Sequence, residues 1–367
     1  MSVQRARRLS QSNIISSRFL TPKQIYKDTE NCEEFRIKRK YVMDSITEEE
    51  RDFPIAYSIV MYYAAGQAER LLRAIYRPQN YYCLHVDFKA GLETELSMQR
   101  LASCFDNVFV VPNPTSVNWA FYGVLEAELL CMEQLVKYKK WKYFINLTGH
   151  EFPLKSNYEI VQILKIYNGA NEISNLPLSS FQERWTYKHI NGKGKTSIPK
   201  SPPPHNITIH KGDAHVTLSR AFVEYVLNDP VALDFREWVK DAFCPEEIFF
   251  SSLQYNPQLE APGALSVTTK YFYKVLSRHK VWASEGRNKC KSGNYRHIIC
   301  IYGLDDLPDL AADYKAMFIN KLLDDYEPFT YDCLEELYFN RTRDEYLGRK
   351  GFDFNFYLRR PFVLHHF

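Results

Sequence analysis

The amino-acid sequence predicts an α/β protein whose first half is a mostly parallel β-sheet flanked by helices. Residues 55–63, IAYSIVMYY, are almost continuously apolar and rich in β-branched and aromatic side chains, which is typical of a strand covered on both faces. Helix and strand patterns then alternate as far as Gly149. Asp87 closes the second predicted strand, at the strand end where open sheets of this kind bind ligands.

The hydrophobic pattern predicts the elements in order. Four strands are expected, at residues 55–63, 81–87, 107–111 and 141–149. Helices are expected at residues 67–76, 122–138, 219–230 and 232–243. An acidic residue at a strand end also caps the following turn, so Asp87 has two readings, as a ligand contact or as a cap.

Two segments lack a clear pattern. Residues 1–52 are predicted to be a polar N-terminal segment, and the basic, Ser-rich start is either a transit peptide or a polar tail, because it has no apolar core for a secretory signal. Residues 166–215 are predicted to be loop-rich. Their least ordered part is expected at 193–205, KGKTSIPKSPPPH, since three consecutive prolines exclude regular structure.

The composition excludes several classes of partner. The 47 Lys and Arg residues nearly balance 44 Asp and Glu, so the net charge of +3 predicts neither nucleic acid nor an anionic membrane as the main partner. No window of about 18 apolar residues is present, so the sequence predicts no membrane span. The 26 Tyr and 24 Phe residues would suit stacking on bases and sugar rings as well as core packing.

Common catalytic motifs are absent. The chain has no G-x-G-x-x-G, no Walker loop, no H-E-x-x-H and no G-x-S-x-G. It also lacks the D-x-D pair with which many sugar transferases hold a divalent metal. If the chain binds a sugar nucleotide, cationic side chains must therefore neutralise the diphosphate.

The stretch AFCPEEIFF, residues 242–250, has the composition of a helix start. Pro245 suits the first helical position, which places Glu246 and Glu247 in the first turn. Because the helix dipole favours negative charge there, both carboxylates are expected to be ionised near neutral pH. Acids in a first turn often serve the helix alone, so a catalytic role needs further support.

Five segments carry a resemblance to a known family: FPIAYSIVMYY, LLRAIYRPQNYYCLHVDFKA, ASCFDNVFVV, WKYFINLTGHEFPLKSNYEIV and CPEEIFFSSLQ. In order and over residues 32 to about 345, the chain resembles the core 2 / I-branching β-1,6-N-acetylglucosaminyltransferases. The resemblance implies a glycosyltransferase-A fold, with no D-x-D pair, no cofactor and no divalent metal. The implied reaction is inverting transfer of GlcNAc from UDP-GlcNAc to a C6 hydroxyl of an O-glycan core, Galβ1-3GalNAc. The resemblance also implies a single catalytic domain, 53–367, with a nucleotide-binding half, 53–165, and an acceptor- and diphosphate-binding half, 166–367.

The resemblance also assigns the catalytic and donor residues. Glu247 matches the family's catalytic base, and Glu246 is interpreted as support for the helix start. Arg296 and Lys321 match two cations that hold the diphosphate, as a metal would elsewhere. Five positions match nucleotide and donor contacts: Val60, Tyr62, Asp87, Lys89 and Trp119.

The acceptor side matches less completely. Four positions match acceptor contacts: Glu172, Arg184, Lys270 and Trp282. A family Lys is replaced near Phe181, and a family Tyr is missing where Ala283 and Ser284 stand. The acceptor is therefore left open between an O-glycan core and a polylactosamine. The sequence is also compatible with a xylosyl transferase or a catalytically silent glycan-binding relative, although intact Glu247, Arg296 and Lys321 argue against the silent one.

Eight cysteines allow 105 complete pairings, so the sequence alone fixes none. The resemblance implies the pairs Cys32–Cys104, Cys83–Cys131 and Cys290–Cys300. Cys333 matches a cysteine whose family partner lies in an N-terminal stem, and Cys244 has no counterpart. These two are expected either to pair with each other or to stay free.

Family members are type II Golgi glycoproteins with an N-terminal anchor, and the expected location is the Golgi lumen. This sequence shows no such anchor, so it is either a fragment or a protein that does not enter the Golgi, and the implied disulfides favour the first. Three glycosylation sequons, at Asn146, Asn206 and Asn340, permit the secretory route. The implied partners are UDP-GlcNAc and O-glycans of glycoproteins, without nucleic acid; a homodimer is left open.

Overall fold

The computed structural model describes residues 19–176, 181–267, 273–312, 315–349 and 351–367. Its strands are β1 Ile55–Met61, β2 Tyr81–Val86, β3 Val108–Val110, β4 Tyr143–Thr148, β5 Glu151–Pro153, β6 Tyr187–Ile190, β7 Gly194–Pro199, β8 Thr217–Ser219, β9 Arg278–His279, β10 Tyr295–Arg296, β11 Ile299–Cys300 and β12 Phe318–Asn320. Its α-helices are α1 Pro22–Asp28, α2 Cys32–Arg39, α3 Glu48–Arg51, α4 Ala65–Ile75, α5 Leu92–Ala102, α6 Gly123–Leu135, α7 Asn157–Tyr167, α8 Glu183–Thr186, α9 Arg220–Asn228, α10 Pro230–Val239, α11 Glu246–Gln254, α12 Leu307–Leu310, α13 Phe329–Tyr346, α14 Asn355–Leu358 and α15 Pro361–Leu364. Short 3₁₀ turns lie at Phe88–Ala90, Pro204–Asn206, Pro257–Leu259, Ala283–Glu285 and Arg287–Lys289.

The central sheet has five strands in the order β3-β2-β1-β4-β8. The first four are parallel, as the sequence predicts, and β8 joins one edge in the antiparallel direction. Helices α4, α5 and α6 connect successive parallel strands. The four predicted strands are confirmed, with ends that differ by at most two residues. Helix α5 was not predicted, because Leu92 and Leu96 are exposed and blur its apolar face.

Both faces of this sheet are covered. Ile55, Tyr57 and Ile59 of β1 pack into one buried cluster, whereas Ala56, between the first two, packs into a second cluster on the opposite face. This alternation is the two-residue period of a strand. The nearly continuous apolar run of β1 is therefore explained by burial on both sides.

The N-terminal segment differs from the prediction over its described part, residues 19–52. Helices α1, α2 and α3 each follow a residue whose side chain accepts a hydrogen bond from the first turn: Thr21, Asn31 and Thr47. Ile25 and Phe35 are buried in the core cluster, and the Cys32–Cys104 disulfide ties α2 to the residues after α5. The segment packs because each of its first two helices buries one apolar residue and the disulfide joins it to a distant part of the chain, despite its polar composition.

The predicted loop between residues 193 and 205 is also partly wrong. Strands β6 and β7 form a two-stranded antiparallel hairpin. Pro199 ends β7, where a missing backbone donor does not interrupt a central ladder. The three consecutive prolines lie after the strand, so only that part of the prediction holds.

A second sheet, in the order β5-β12-β9, lies after the end of β4 and carries residues of the candidate site. Strand β12 pairs antiparallel with β5 and parallel with β9. The hairpin β10–β11 is closed by the Cys290–Cys300 disulfide, as the resemblance implies.

The pair Cys83–Cys131 is not bonded in this structure, in contrast to the pairing that the resemblance implies. Both cysteines are fully buried, and the Cys131 thiol donates to the backbone carbonyl of Cys83 at 3.5 Å. Burial, followed by the neighbouring Cys83 side chain, raises the pKa of the Cys131 thiol, so the two thiols lie close together in the core without a disulfide in this structure. Cys244 is a buried thiol that forms no disulfide.

The three sequons differ in access. Asn146 is buried in β4, and its side-chain amide donates to the carbonyl of Ala214 at 2.8 Å. Asn206 is exposed after a run of prolines, and Asn340 lies within α13. Throughout the residues that the structure describes, no helix is long and apolar enough to cross a membrane.

Candidate active site

Glu247 lies in the first turn of α11, as predicted, with Pro245 as the residue just before the helix. Its carboxylate forms ion pairs with Arg184 and with Lys211, whose Nζ is 3.0 Å from Oε2. The Glu247 side chain is 17% exposed, so it can still reach a substrate. Arg184 was expected to contact the acceptor, and here its guanidinium is held on Glu247.

Glu246 differs from the expectation that both acids are ionised. It is buried, and burial together with the neighbouring charge of Glu247 raises the pKa of its carboxyl to about 8. Desolvation therefore outweighs the helix dipole at this position. Glu246 is largely protonated near neutral pH.

Arg296 of β10 and Lys321, which follows β12, come together at one end of the site. Burial and then the positive charge of Arg296 lower the pKa of the Lys321 ammonium. Among the described residues, neither side chain lies within ion-pair distance of a carboxylate. Glu151 and Asp324 are within electrostatic range of these cations but form no direct ion pair with them. Two cations held close together without a direct carboxylate partner form a site for an anion.

Two residues at this end were missed by the sequence reasoning. Arg296 donates a 2.6 Å hydrogen bond to the hydroxyl of Tyr63, whose ring lies 5.1 Å from that of His150. Burial, followed by the charges of Lys321 and Arg296, lowers the pKa of His150 to about 4. Both residues lie next to strand ends in the segments that carry the resemblance. That position could have identified them as candidate site residues.

The predicted donor residues gather at the ends of β1 and β2. Asp87 accepts from the backbone of Lys89 at 2.8 Å and of Val117 at 3.0 Å, so it caps the 3₁₀ turn and also fixes a neighbouring loop. The Lys89 ammonium lies 5.7 Å from the ring centre of Tyr62. Val60, two residues before Tyr62, is partly buried near the end of β1.

Trp119 presents an open aromatic face on the same side of the molecule. Its side chain is 72% exposed and meets the edge of Phe243 at 5.7 Å. Phe243 directly precedes the Cys-Pro that leads into α11. This contact links the donor residues to the segment that carries Glu247.

The predicted acceptor residues are brought together only in part. Glu172 is fully buried and accepts hydrogen bonds from Tyr273 at 2.8 Å and from the backbone of Ser277. In this structure the carboxylate is occupied by protein donors, and its contact with the acceptor stays a prediction. Trp282 is partly exposed under the Lys280 ammonium, which lies 4.7 Å from its ring centre. Lys270 lies outside the described residues.

A buried chain of charges connects the two ends of the site. Glu151 accepts from His215 at 2.8 Å, from Asn320 at 2.9 Å and from Arg278 at 2.9 Å. Asn320 is the residue before Lys321, so Glu151 anchors the strand that carries this cation. The paired charges inside the network offset the desolvation that each alone would suffer.

The same chain of contacts reaches the candidate base. Lys280 binds Asp213 at 2.6 Å, and Asp213 follows Gly212, whose N–H donates to the carbonyl of Glu247 at 2.6 Å. The site thus combines a carboxylate that can take a proton with two cations that can hold an anion.

Comparison with known proteins identifies the family. The family model described as "Core-2/I-Branching enzyme" matches residues 55–311. The chain belongs to the core-2/I-branching enzyme family. The parallel sheet with its flanking helices is the glycosyltransferase-A fold of these enzymes.

Relatives of the core-2/I-branching family are similar over most of this chain. A protein of Danio rerio named "Beta-1,3-galactosyl-O-glycosyl-glycoprotein beta-1,6-N-acetylglucosaminyltransferase 4" is 39% identical, over 84% of this chain and 75% of its own length. A human protein named "N-acetyllactosaminide beta-1,6-N-acetylglucosaminyl-transferase" is 38% identical, over 87% of this chain and 80% of its own length. The resemblance seen in the sequence is confirmed at the level of the family.

Proposed function

We propose that this core-2/I-branching enzyme transfers N-acetylglucosamine from UDP-GlcNAc, in β-1,6 linkage, to the C6 hydroxyl of an O-glycan core. The observation that carries the proposal is the approach of Arg296 and Lys321 to each other, with no direct ion pair to a carboxylate among the described residues. A nucleotide diphosphate has the charge that two unpaired cations would bind. The names of the relatives supply the sugar and the linkage.

The reaction follows from these groups. Glu247 takes the proton from the acceptor hydroxyl while the acceptor oxygen attacks the anomeric carbon. The bond from that carbon to the diphosphate oxygen breaks, and the electron pair leaves with UDP. Arg296 and Lys321 stabilise the charge that develops on UDP, so we propose that no divalent metal is required. Attack from the face opposite UDP inverts the anomeric centre.

The donor residues fit this arrangement. Val60, Tyr62, Asp87 and Lys89 surround the strand ends where a nucleoside would lie. Trp119 offers an exposed ring for stacking. Trp282 is proposed to stack on the acceptor. Arg184, beside Glu247, is proposed to contact the edge of the acceptor.

Two disulfides, Cys32–Cys104 and Cys290–Cys300, support a protein that folds in an oxidising compartment. This fits the proposed location in the Golgi lumen, where glycoprotein acceptors are found. A homodimer remains an open proposal that size-exclusion chromatography with light scattering would test.

Similar relatives are named for two different acceptors, so the acceptor needs a direct test. The purified chain should be incubated with UDP-GlcNAc or UDP-xylose and with Galβ1-3GalNAc or a polylactosamine, and the linkage of each product determined. We expect a β-1,6-GlcNAc product on Galβ1-3GalNAc. Transfer to polylactosamine alone would identify an I-branching enzyme, and UDP-xylose as the donor would overturn the proposed sugar. Binding without transfer would indicate a silent relative.

A further inference from the structure

Lys211 is a buried lysine beside Glu247, and its sequence context carries no catalytic motif. Its Nζ lies 3.0 Å from Oε2 of Glu247 and 4.9 Å from the ring centre of Phe181. The Lys211 side chain is only 7% exposed. Removing an ammonium from water is costly unless a carboxylate compensates the charge, and a ring contact offsets only part of that cost. Glu247 is that carboxylate.

The backbone that carries Lys211 is fixed on the first turns of α11. The Gly212 N–H donates to the carbonyl of Glu247 at 2.6 Å, and the Ser251 hydroxyl donates to the carbonyl of His210 at 2.6 Å. A Cβ atom on Gly212 would lie 2.9 Å from both the Ser174 carbonyl oxygen and the Cβ of Ser251. Only glycine permits this close approach. Lys211 is therefore held in place relative to Glu247.

Both cations act on the same oxygen of Glu247. Arg184 donates to Oε2, and Lys211 also contacts Oε2. Oε1 accepts no hydrogen bond from any residue within the described ranges. The terminal torsion of a glutamate is broad, so an unrestrained carboxylate would present either oxygen. Two charged contacts on Oε2 remove that freedom.

We propose that Lys211 is a positioning residue which, together with Arg184, holds Oε2 so that Oε1 of Glu247 takes the acceptor proton. The inference rests on the proposed function, in which the acceptor O–H bond breaks as the bond from oxygen to the anomeric carbon forms. The proton passes to Oε1, and the electron pair of the breaking glycosidic bond leaves with UDP. Lys211 exchanges no proton in this step; it fixes the direction of the lone pair that receives one.

The test uses Lys211→Met, which keeps the length of the side chain and removes its charge. We expect kcat for GlcNAc transfer to fall about tenfold or more, with the KM for UDP-GlcNAc unchanged, because only the orientation of the base is lost. Lys211→Arg should recover most of kcat, since the positive charge is retained.

Lys240→Met is the matched control, because it removes an exposed lysine that forms an ion pair on the surface after α10. Its kcat should equal that of the wild type. If Lys211→Met does not fold, judged by circular dichroism and UDP-GlcNAc binding, Lys211→Gln takes its place in the same assays. A neutral variant with unchanged kcat, or a Lys211→Arg variant with the same loss as Lys211→Met, would overturn the proposal. Failure of the wild type to transfer GlcNAc would instead overturn the proposed function.

Discussion

Arg296 donates a 2.6 Å hydrogen bond to the hydroxyl of Tyr63, and this contact joins the β10–β11 hairpin to the end of β1. The Arg296 guanidinium also lies 5.5 Å from the centre of the Tyr63 ring. The cation is thus held by the central sheet on one side and by its own disulfide-closed hairpin on the other. Its position relative to Lys321 depends on both attachments.

The Cys290–Cys300 disulfide should therefore support donor binding. Replacing both cysteines by serine removes the covalent closure of the hairpin that contains Arg296. We expect the KM for UDP-GlcNAc to rise several-fold, because the loosened hairpin must be ordered when the donor binds. Steady-state kinetics at fixed acceptor concentration measure the change. Replacing Cys32 and Cys104 is the control: it should lower stability without a specific effect on this KM.

Glu247→Gln should abolish transfer while leaving UDP binding nearly unchanged. The amide keeps the shape of the side chain but cannot take the acceptor proton, and the UDP cations are elsewhere in the site. Transfer to Galβ1-3GalNAc and calorimetric binding of UDP are the two measurements. A variant that retains a tenth or more of the activity would remove Glu247 as the base.

Transfer should persist in EDTA, because Arg296 and Lys321 take the place of a metal in the proposed reaction. Arg296→Gln and Lys321→Met should each lower kcat/KM by about 100-fold, as expected for loss of a charge that stabilises the leaving group. Arg343→Gln, at an exposed arginine paired with Asp344, is the matched control and should have no effect. Strict dependence on manganese would contradict this prediction.

Glu246→Gln should stabilise the fold at mildly alkaline pH. Burial raises the pKa of Glu246 from 4.5 to about 8, so the folded chain keeps a proton that the unfolded chain has released. The stability of the wild type should therefore fall as pH rises through this window, whereas the variant lacks that loss. Each pKa unit corresponds to about 1.4 kcal/mol, so a gain of order 2–4 kcal/mol is expected at pH 8. Urea unfolding at pH 5 and pH 8 measures it; a difference that does not depend on pH would contradict the prediction.

His150→Gln should have the opposite dependence on pH. The pKa of His150 falls from 6.5 to about 4 through burial and the neighbouring cations, so the folded chain resists a proton that the unfolded chain binds. Wild-type stability should fall as pH drops from 6.5 towards 4, and the variant should lose less. Thermal unfolding at pH 7 and pH 4.5 compares them. His205→Gln, which removes an exposed histidine paired with Asp234, is the control; an equal effect in both variants would contradict the role of His150.

The sequence was sufficient to predict much of the fold. The β-branched run of β1 and the alternation of helices and strands predict the parallel sheet, because these patterns depend on local periodicity and burial. The packed helices of residues 19–52 and the β6–β7 hairpin were not predicted. Their packing depends on surfaces contributed by distant parts of the chain, such as Cys104, which no local pattern contains.

The candidate site likewise combines features set by the local sequence with features set by distant residues. Glu247, Arg296 and Lys321 are proposed from the family resemblance, and the position of Glu247 in a first turn follows from Pro245 and the helix-start pattern. The charge state of Glu246 was wrong in the sequence prediction, since desolvation depends on what covers a carboxyl and not on its neighbours in the chain. Glu172 was expected to contact the acceptor, and nothing in the sequence indicated that Tyr273 and Ser277 would enclose its carboxylate.

By itself, the sequence determined the sheet, the helix that presents Glu247 and the family. Only the tertiary structure decided that Lys211 lies on Glu247, that Tyr63 holds Arg296 and that the Cys83 and Cys131 thiols are not bonded. Periodicity and capping act over a few residues, whereas burial and charge pairing depend on residues far apart in sequence. Ion pairs between distant residues are therefore the part of this site that a sequence alone does not specify.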